Sequence, residues 1–205
     1  MNGSSDEIVK KVLSCGTYEK AFRKFVKLTP NSKKISIDHI VSAVILYYSS
    51  FSKYQADFDD AMNKKKNLTE DAVKGFNIFM SKAQCGTCHF VPMFNGVKPP
   101  YTGSEFEVAG TPVDTLFTKL SPDIGRALIN PAGEMMHAFR TGTIRNAAHT
   151  GPYMHNGIYK TLDEVIRFYD TGGGAGNGLK VINQTLSPDS LKLSSPEKKQ
   201  LIAFI

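Results

Sequence analysis

Between positions 85 and 89 the chain reads Cys-Gly-Thr-Cys-His, and this pentapeptide constrains the fold more than any other feature. Two thiols separated by two residues, with an imidazole directly after the second, have the spacing at which a porphyrin is attached covalently. The thiols add to two vinyl groups, and the histidine falls under the iron as its proximal ligand. Cys85, Cys88 and His89 are therefore read as the attachment site of one covalent haem c. A zinc site would need four ligands, and the chain has one other cysteine, Cys15, far upstream. A dithiol redox pair belongs beside a βαβ unit, and no such pattern is evident.

With 205 residues, the chain can be one domain of ordinary size or a small domain with an appendage. Its hydrophobic content of 41% suits a packed core. No apolar run is long enough to cross a membrane; the stretch from Ile40 to Phe51 is short and holds Ser42, Ser49 and Ser50. The formal charge of +6 is spread along the chain except at Lys64-Lys65-Lys66. That distribution reads as a solvated face, not a nucleic-acid site, and leaves room for an acidic electron-transfer partner. With two of three cysteines given to haem, Cys15 is left unpaired. Residues 1–14 lack the basic start and apolar core of an export signal, and the chain stops at Ile205 inside an apolar run. The sequence is expected to be part of a longer protein.

The pattern is helical with long loops, an all-α reading. A short amphipathic helix is expected from about Thr17 to Lys27, broken by Pro30-Asn31. A second, from Ser36 or Asp38 to Tyr48, is nearly apolar all round and is expected to be buried. A short polar helix or turn follows at Tyr54–Met62, then an exposed link at Lys64–Asn67. A third helix starts near Thr69, with Glu70 and Asp71 favourable to its dipole. Gly75 within it costs helix stability and is expected to allow close packing against a terminal helix containing Leu201, Ile202 and Phe204. Residues 90–140, rich in Pro, Gly, Thr and Asp, carry no periodic signal; a porphyrin core would explain so long an irregular stretch. Thr161-Leu-Asp-Glu164 is a capping box opening a helix whose inward stripe includes Leu162, Val165, Ile166 and Tyr169. Gly172-Gly173-Gly174 ends it, and Ser195-Pro196-Glu197 opens the last helix.

An iron held by His89 has a second axial position, and its occupant decides the chemistry. The candidates are Met93, Met135, Met136, Met154, His137, His149, His155 and Tyr169. Spacing alone leans towards a methionine without choosing one.

The stretch Phe139-Arg-Thr-Gly-Thr-Ile-Arg145-Asn146-Ala-Ala-His-Thr150-Gly-Pro152-Tyr153-Met-His155-Asn-Gly157 is followed by Thr161-Leu162, Glu164-Val165 and Phe168-Tyr169. It resembles the C-terminal half of bacterial di-haem cytochrome c peroxidases and MauG-type enzymes. Asp123-x-Gly125-Arg126 and the C-x-x-C-H precede it in the order found in that family, and Ser49–Asp59 resembles the segment leading into its second haem domain. The resemblance covers most of residues 35–205. It implies a cytochrome c-like haem domain over residues 66–205 with a helical extension over 1–65. It implies too a missing N-terminal haem domain that reacts with peroxide, a small electron-donor protein, and a periplasmic location. In many of these peroxidases the sixth ligand is a methionine fourteen residues after the histidine of a Pro-Tyr-x-His motif; counting from His155 reaches Tyr169. MauG-type proteins are similar in placing tyrosine there. The resemblance therefore implies Tyr169 as distal ligand, with Met154 as runner-up. It further implies that Arg145 meets a haem propionate and that His155 hydrogen-bonds beside the haem. The carbonyls of Thr150 and Pro152 would contribute to an inter-domain calcium site. The family's His-Asp-Gly is His155-Asn156-Gly157 here, a change compatible with the same turn. The expected role is the electron-transfer domain of a peroxidase; the alternative is a mono-haem electron carrier without catalysis.

Overall fold

The computed structural model describes residues 4–27, 34–51 and 56–205. The chain divides into two compact units, Met1–Gln55 and Ala56–Ile205.

The first unit contains three helices among its described residues. Helix α1 (Ser5–Leu13) opens on a capping box: the Ser4 hydroxyl accepts from the Glu7 amide at 3.3 Å, and the Glu7 carboxylate accepts from the Ser4 amide at 2.9 Å. Sequence reading had no helix here. Helix α2 (Gly16–Val26) takes the place of the one expected at 17–27; the Pro30-Asn31 break lies outside the described residues. Helix α3 (Ile37–Phe51) forms where its apolar run predicts, but its burial is corrected by the structure. Val41, Val44, Ile45, Leu46, Tyr47 and Tyr48 are 46–69% exposed. The physical reason is supply. Helix α1 fully buries no side chain and α2 only Val26, so neither covers a helix that is apolar around its whole circumference.

The second unit begins with helix α4 (Asp57–Met62), which belongs to its core. Phe58 on α4 packs edge-on against Phe94 at 4.9 Å between ring centroids, and lies 5.7 Å from Phe76 and 6.3 Å from Phe204. The division between units thus falls ten residues before the 65/66 boundary read from sequence, because α4 supplies an aromatic anchor that a bare linker would not. Helix α5 (Glu70–Met80) is capped by the Thr69 hydroxyl, which accepts from the Ala72 amide.

Two further helices and a small ladder complete the frame around α5. A Cβ at Gly75 would stand 2.0 Å from the Gln200 carbonyl oxygen of helix α8 (Ser195–Phe204), so the two helices approach backbone to backbone. Around this contact is a core of Phe79, Ala83, Phe94, Ile166, Leu193 and Leu201, drawn also from α6 and the loops. Helix α6 (Leu162–Asp170) starts at the Thr161–Glu164 capping box and buries Ile166, Phe168 and Asp170. Asp170 accepts from the Leu193 amide at 2.9 Å and pairs with Lys198 on α8 at 2.6 Å. The chain then turns through Gly172 (φ 84°) into the single turn α7 (Gly173–Gly176). Residues 81–160 are mostly loops and 3-10 turns; the one named ladder pairs β1 (Phe106–Glu107) with antiparallel β2 (Phe139–Arg140). Mostly helical elements around an irregular middle make a cytochrome c-like fold.

Candidate haem site

Helix α5 leads straight into the pentapeptide. After a left-handed residue at Gln84, Cys85–Thr87 form one 3-10 turn and the His89 amide donates to the Cys85 carbonyl at 2.9 Å. Both thiols are free and half-buried. Burial pushes the Cys85 thiol up to about 12 and also raises that of Cys88. A redox dithiol needs the opposite shift, a thiolate stabilised near neutrality. Among the described residues, no three His, Cys, Asp or Glu side chains cluster as a metal site.

The His89 ring is oriented by backbone. Its Nδ1 lies 3.0 Å from the Gly142 carbonyl oxygen and 3.2 Å from that of Phe94. Carbonyls only accept, so Nδ1 carries the proton and Nε2 keeps its lone pair for a metal. Burial lowers the pKa of the imidazole, against the opposing pull of the two carbonyls and Glu107, so it is neutral at neutral pH. A tautomer fixed from the far nitrogen is the usual arrangement around a metal-binding histidine. These residues fit a covalently attached, histidine-ligated haem.

Tyr169 lies half-buried on α6, its ring edge-on to that of Phe168 at 5.4 Å between centroids. Burial raises the pKa of its hydroxyl, and Cys85, Cys88, Tyr159 and Glu107 add to that in turn. The phenol is thus within electrostatic reach of both attachment sulfurs, and it makes no hydrogen bond among the described residues. Met154 lies in the turn joining Tyr153 to Gly157, with its backbone at φ 65°. His155 stacks on Phe139 at 3.7 Å between centroids, and its Nε2 is 3.0 Å from the Ser121 hydroxyl. Asn156 supports that turn: its Nδ2 donates to the Pro112 carbonyl at 2.8 Å and its Oδ1 accepts from the Ile158 amide at 3.3 Å. Thr150 and Pro152 are exposed, and neither carbonyl accepts a hydrogen bond among the described residues.

Arg145 is held by the protein on two sides. Its Nη1 and Nη2 grip the Asp59 carboxylate at 2.6 and 2.8 Å, while Nε and Nη2 donate to the Pro92 carbonyl at 3.1 and 2.6 Å. All three guanidinium nitrogens thus donate within the protein, and one N–H of Nη1 is used by none of these bonds. Sequence reading also missed Glu107, whose carboxylate acts on Cys88, His89 and Tyr169. Nor did it find Asp59, or the Phe94 and Gly142 carbonyls. No motif or period marks any of them.

No family model matches the chain. Individual relatives do. The chain is 31% identical over 182 residues to the cytochrome-c peroxidase IdrP2 of Pseudomonas sp. (strain SCT), covering 81% of this chain and 47% of that protein. It is 27% identical over 208 residues to the methylamine utilization protein MauG of Methylorubrum extorquens, covering 100% of this chain and 53% of that protein. Among solved structures, a MauG-like protein associated with microbial copper homeostasis superposes with a TM-score of 0.68 over 98% of this chain at 24% identity. The diheme peroxidase BthA of Burkholderia thailandensis superposes with a TM-score of 0.65 over 99% at 18% identity. At those identities the superpositions speak to fold alone.

A cytochrome c-like fold in which helix α5 leads into a C-x-x-C-H turn defines the class of protein. Together with the sequence relatives, this places the chain in the di-haem cytochrome c peroxidase/MauG family, whose members bind haem c. The chain spans about half the length of the curated relatives it matches.

Proposed function

We propose that this chain is the C-terminal, electron-transfer haem domain of an exported peroxidase of this family. It would hold or relay an electron while a second, N-terminal haem domain reduces hydrogen peroxide. Cys85 and Cys88 would carry the thioether bonds of one haem c, and His89 Nε2 would be the proximal ligand. Tyr169 would be the distal ligand, with Met154 as the alternative. The bound group supplies one-electron redox chemistry at iron. The protein's part is to attach it, to hold the His89 tautomer, and to exclude water with the Phe79–Phe94 core. An anionic oxygen from Tyr169 favours ferric and higher oxidation states, which suits storage of oxidising equivalents better than simple shuttling. A small electron-donor protein in the periplasm would supply reductant. A calcium ion at the carbonyls of Thr150 and Pro152 would need further oxygens from outside this chain.

The observation that carries this reading is His89, neutral and pinned through Nδ1 by two carbonyls beside two uncharged, half-buried thiols. Protein made with a haem-attachment system should gain the mass of one haem that resists extraction by acidified organic solvent. Cys85→Ser with Cys88→Ser should abolish that gain. A colourless or extractable product would end the reading.

A further inference from the structure

Arg145 sits at the centre of a set of contacts that haem attachment does not explain. The carbonyls of three successive residues, 92, 93 and 94, are all taken up by the segment 142–145. Pro92 O accepts from Arg145 Nη2 and Nε at 2.6 and 3.1 Å. Met93 O accepts from the Thr143 hydroxyl at 2.7 Å, and that hydroxyl accepts in turn from the Arg145 amide at 3.2 Å. Phe94 O accepts from the Ile144 amide at 3.0 Å and also from His89 Nδ1. The other acceptor of His89 is Gly142 O, at the start of the opposing segment. Both carbonyls that fix His89 therefore belong to a two-segment clamp, and neither segment is held there by a helix or a named strand.

Asp59 completes the clamp from α4. Its two oxygens take Nη1 and Nη2 of Arg145, and the pair is mostly buried, at 15% and 21% side-chain exposure. A forked pair of this kind fixes the plane of the guanidinium as well as its position. The guanidinium also lies 5.7 Å from the centre of the Phe94 ring, which Phe58 of α4 meets from another side.

We propose that Arg145, oriented by Asp59, is a positioning residue for His89: it clamps residues 92–94 so that the Phe94 and Gly142 carbonyls hold the proximal ring in one orientation. This rests on His89 being the proximal ligand. The rival reading is an ion pair that merely fastens α4 to the unit.

The test uses the haem-loaded full chain and follows solvent exchange of the His89 Nδ1 proton and the ring-proton resonances by NMR. Asp59→Asn and Arg145→Lys, which keeps the charge but loses the fork, should each speed that exchange about tenfold, roughly the weight of one lost hydrogen bond. They should also displace the ring resonances. Thr143→Val, which changes no charge, should act in the same direction. The double variant Asp59→Asn/Arg145→Lys should do no more than the stronger single one, since the two residues act as one unit. Wild-type exchange in folded variants whose melting temperature has dropped would overturn the proposal in favour of the ion pair, and so would additive effects. Should Arg145→Lys fail to fold, Thr143→Val and Asp59→Asn still decide. If the wild-type chain binds no covalent haem, or keeps its spectrum in His89→Ala, the reading of the site fails before any clamp variant is compared.

Discussion

His89 shares one Nδ1 proton between the carbonyls of Phe94 and Gly142, and that sharing decides which nitrogen remains for a metal. On the opposite helix, Tyr169 has a phenol that burial and its neighbours keep protonated. A cation beside it would reverse that balance. Tyr169→Phe in the haem-loaded chain should change the ferric absorption spectrum and raise the reduction potential; an unchanged spectrum and potential would remove Tyr169 from the iron. Asp59 allows a test in pH. Arg145 holds its carboxyl below the ordinary value, against the opposing effect of burial. The native state thus binds that proton less readily than the unfolded chain. The resulting stability is fully present above about pH 4 and fades as pH falls through the lower folded value. In urea melts, Asp59→Asn should cost about 1–3 kcal/mol at neutral pH, and the gap to wild type should narrow in acid. A gap that stays constant down to acid pH would show that the carboxylate charge is not what matters.

At the scale of elements, the contact between α5 and α8 is the firmest. Gly75→Ala would improve helix propensity by about 1 kcal/mol in isolation. Here the new methyl would collide with the Gln200 carbonyl, and overpacking of that kind costs about 1–3 kcal/mol or more. Thermal unfolding should show a clear net loss; a neutral or stabilised variant would mean the helices can slide apart. This packing was legible in sequence because a glycine on an otherwise good helix needs a reason. The starts of α5, α6 and α8 are legible in Thr69, Thr161 and Ser195-Pro196, although the cap of α8 proves to be Ser194, whose hydroxyl accepts from the Glu197 amide. Helix α1 has the same kind of box at Ser4 and Glu7, outside the expected elements. Helix α3 shows the limit of hydropathy: periodicity reports that a helix is apolar, not that the chain has enough partners to cover it.

For the molecule as a whole, residues 81–160 have little regular structure, while α5 and α8 pack on each other outside that stretch. The Cys85→Ser/Cys88→Ser chain, lacking its covalent group, should therefore show faster amide exchange across residues 90–140 than the loaded protein, with α5 and α8 still protected. Equal protection of the loops in both forms would mean they order without a porphyrin. The C-x-x-C-H turn is legible because its residues are contiguous; on α6 the spacing places Ile166 inward but not Phe168 and Asp170, which are buried beside a half-buried Tyr169. The clamp could not be read. Its donors and acceptors are largely backbone atoms, and Asp59 and Arg145 are far apart in the chain and share no periodic pattern.

One feature of α8 bears on both sides of the site. It meets α5, which leads into His89, at Gly75 and Gln200, and it meets the last residue of α6, next to Tyr169, through Lys198 and Asp170. The two side chains proposed to flank the iron are therefore mounted like the jaws of a vice on one rigid bar. With the proposed haem between such jaws, the spacing would stay nearly the same in either oxidation state, so an oxidising equivalent stored there would meet little rearrangement.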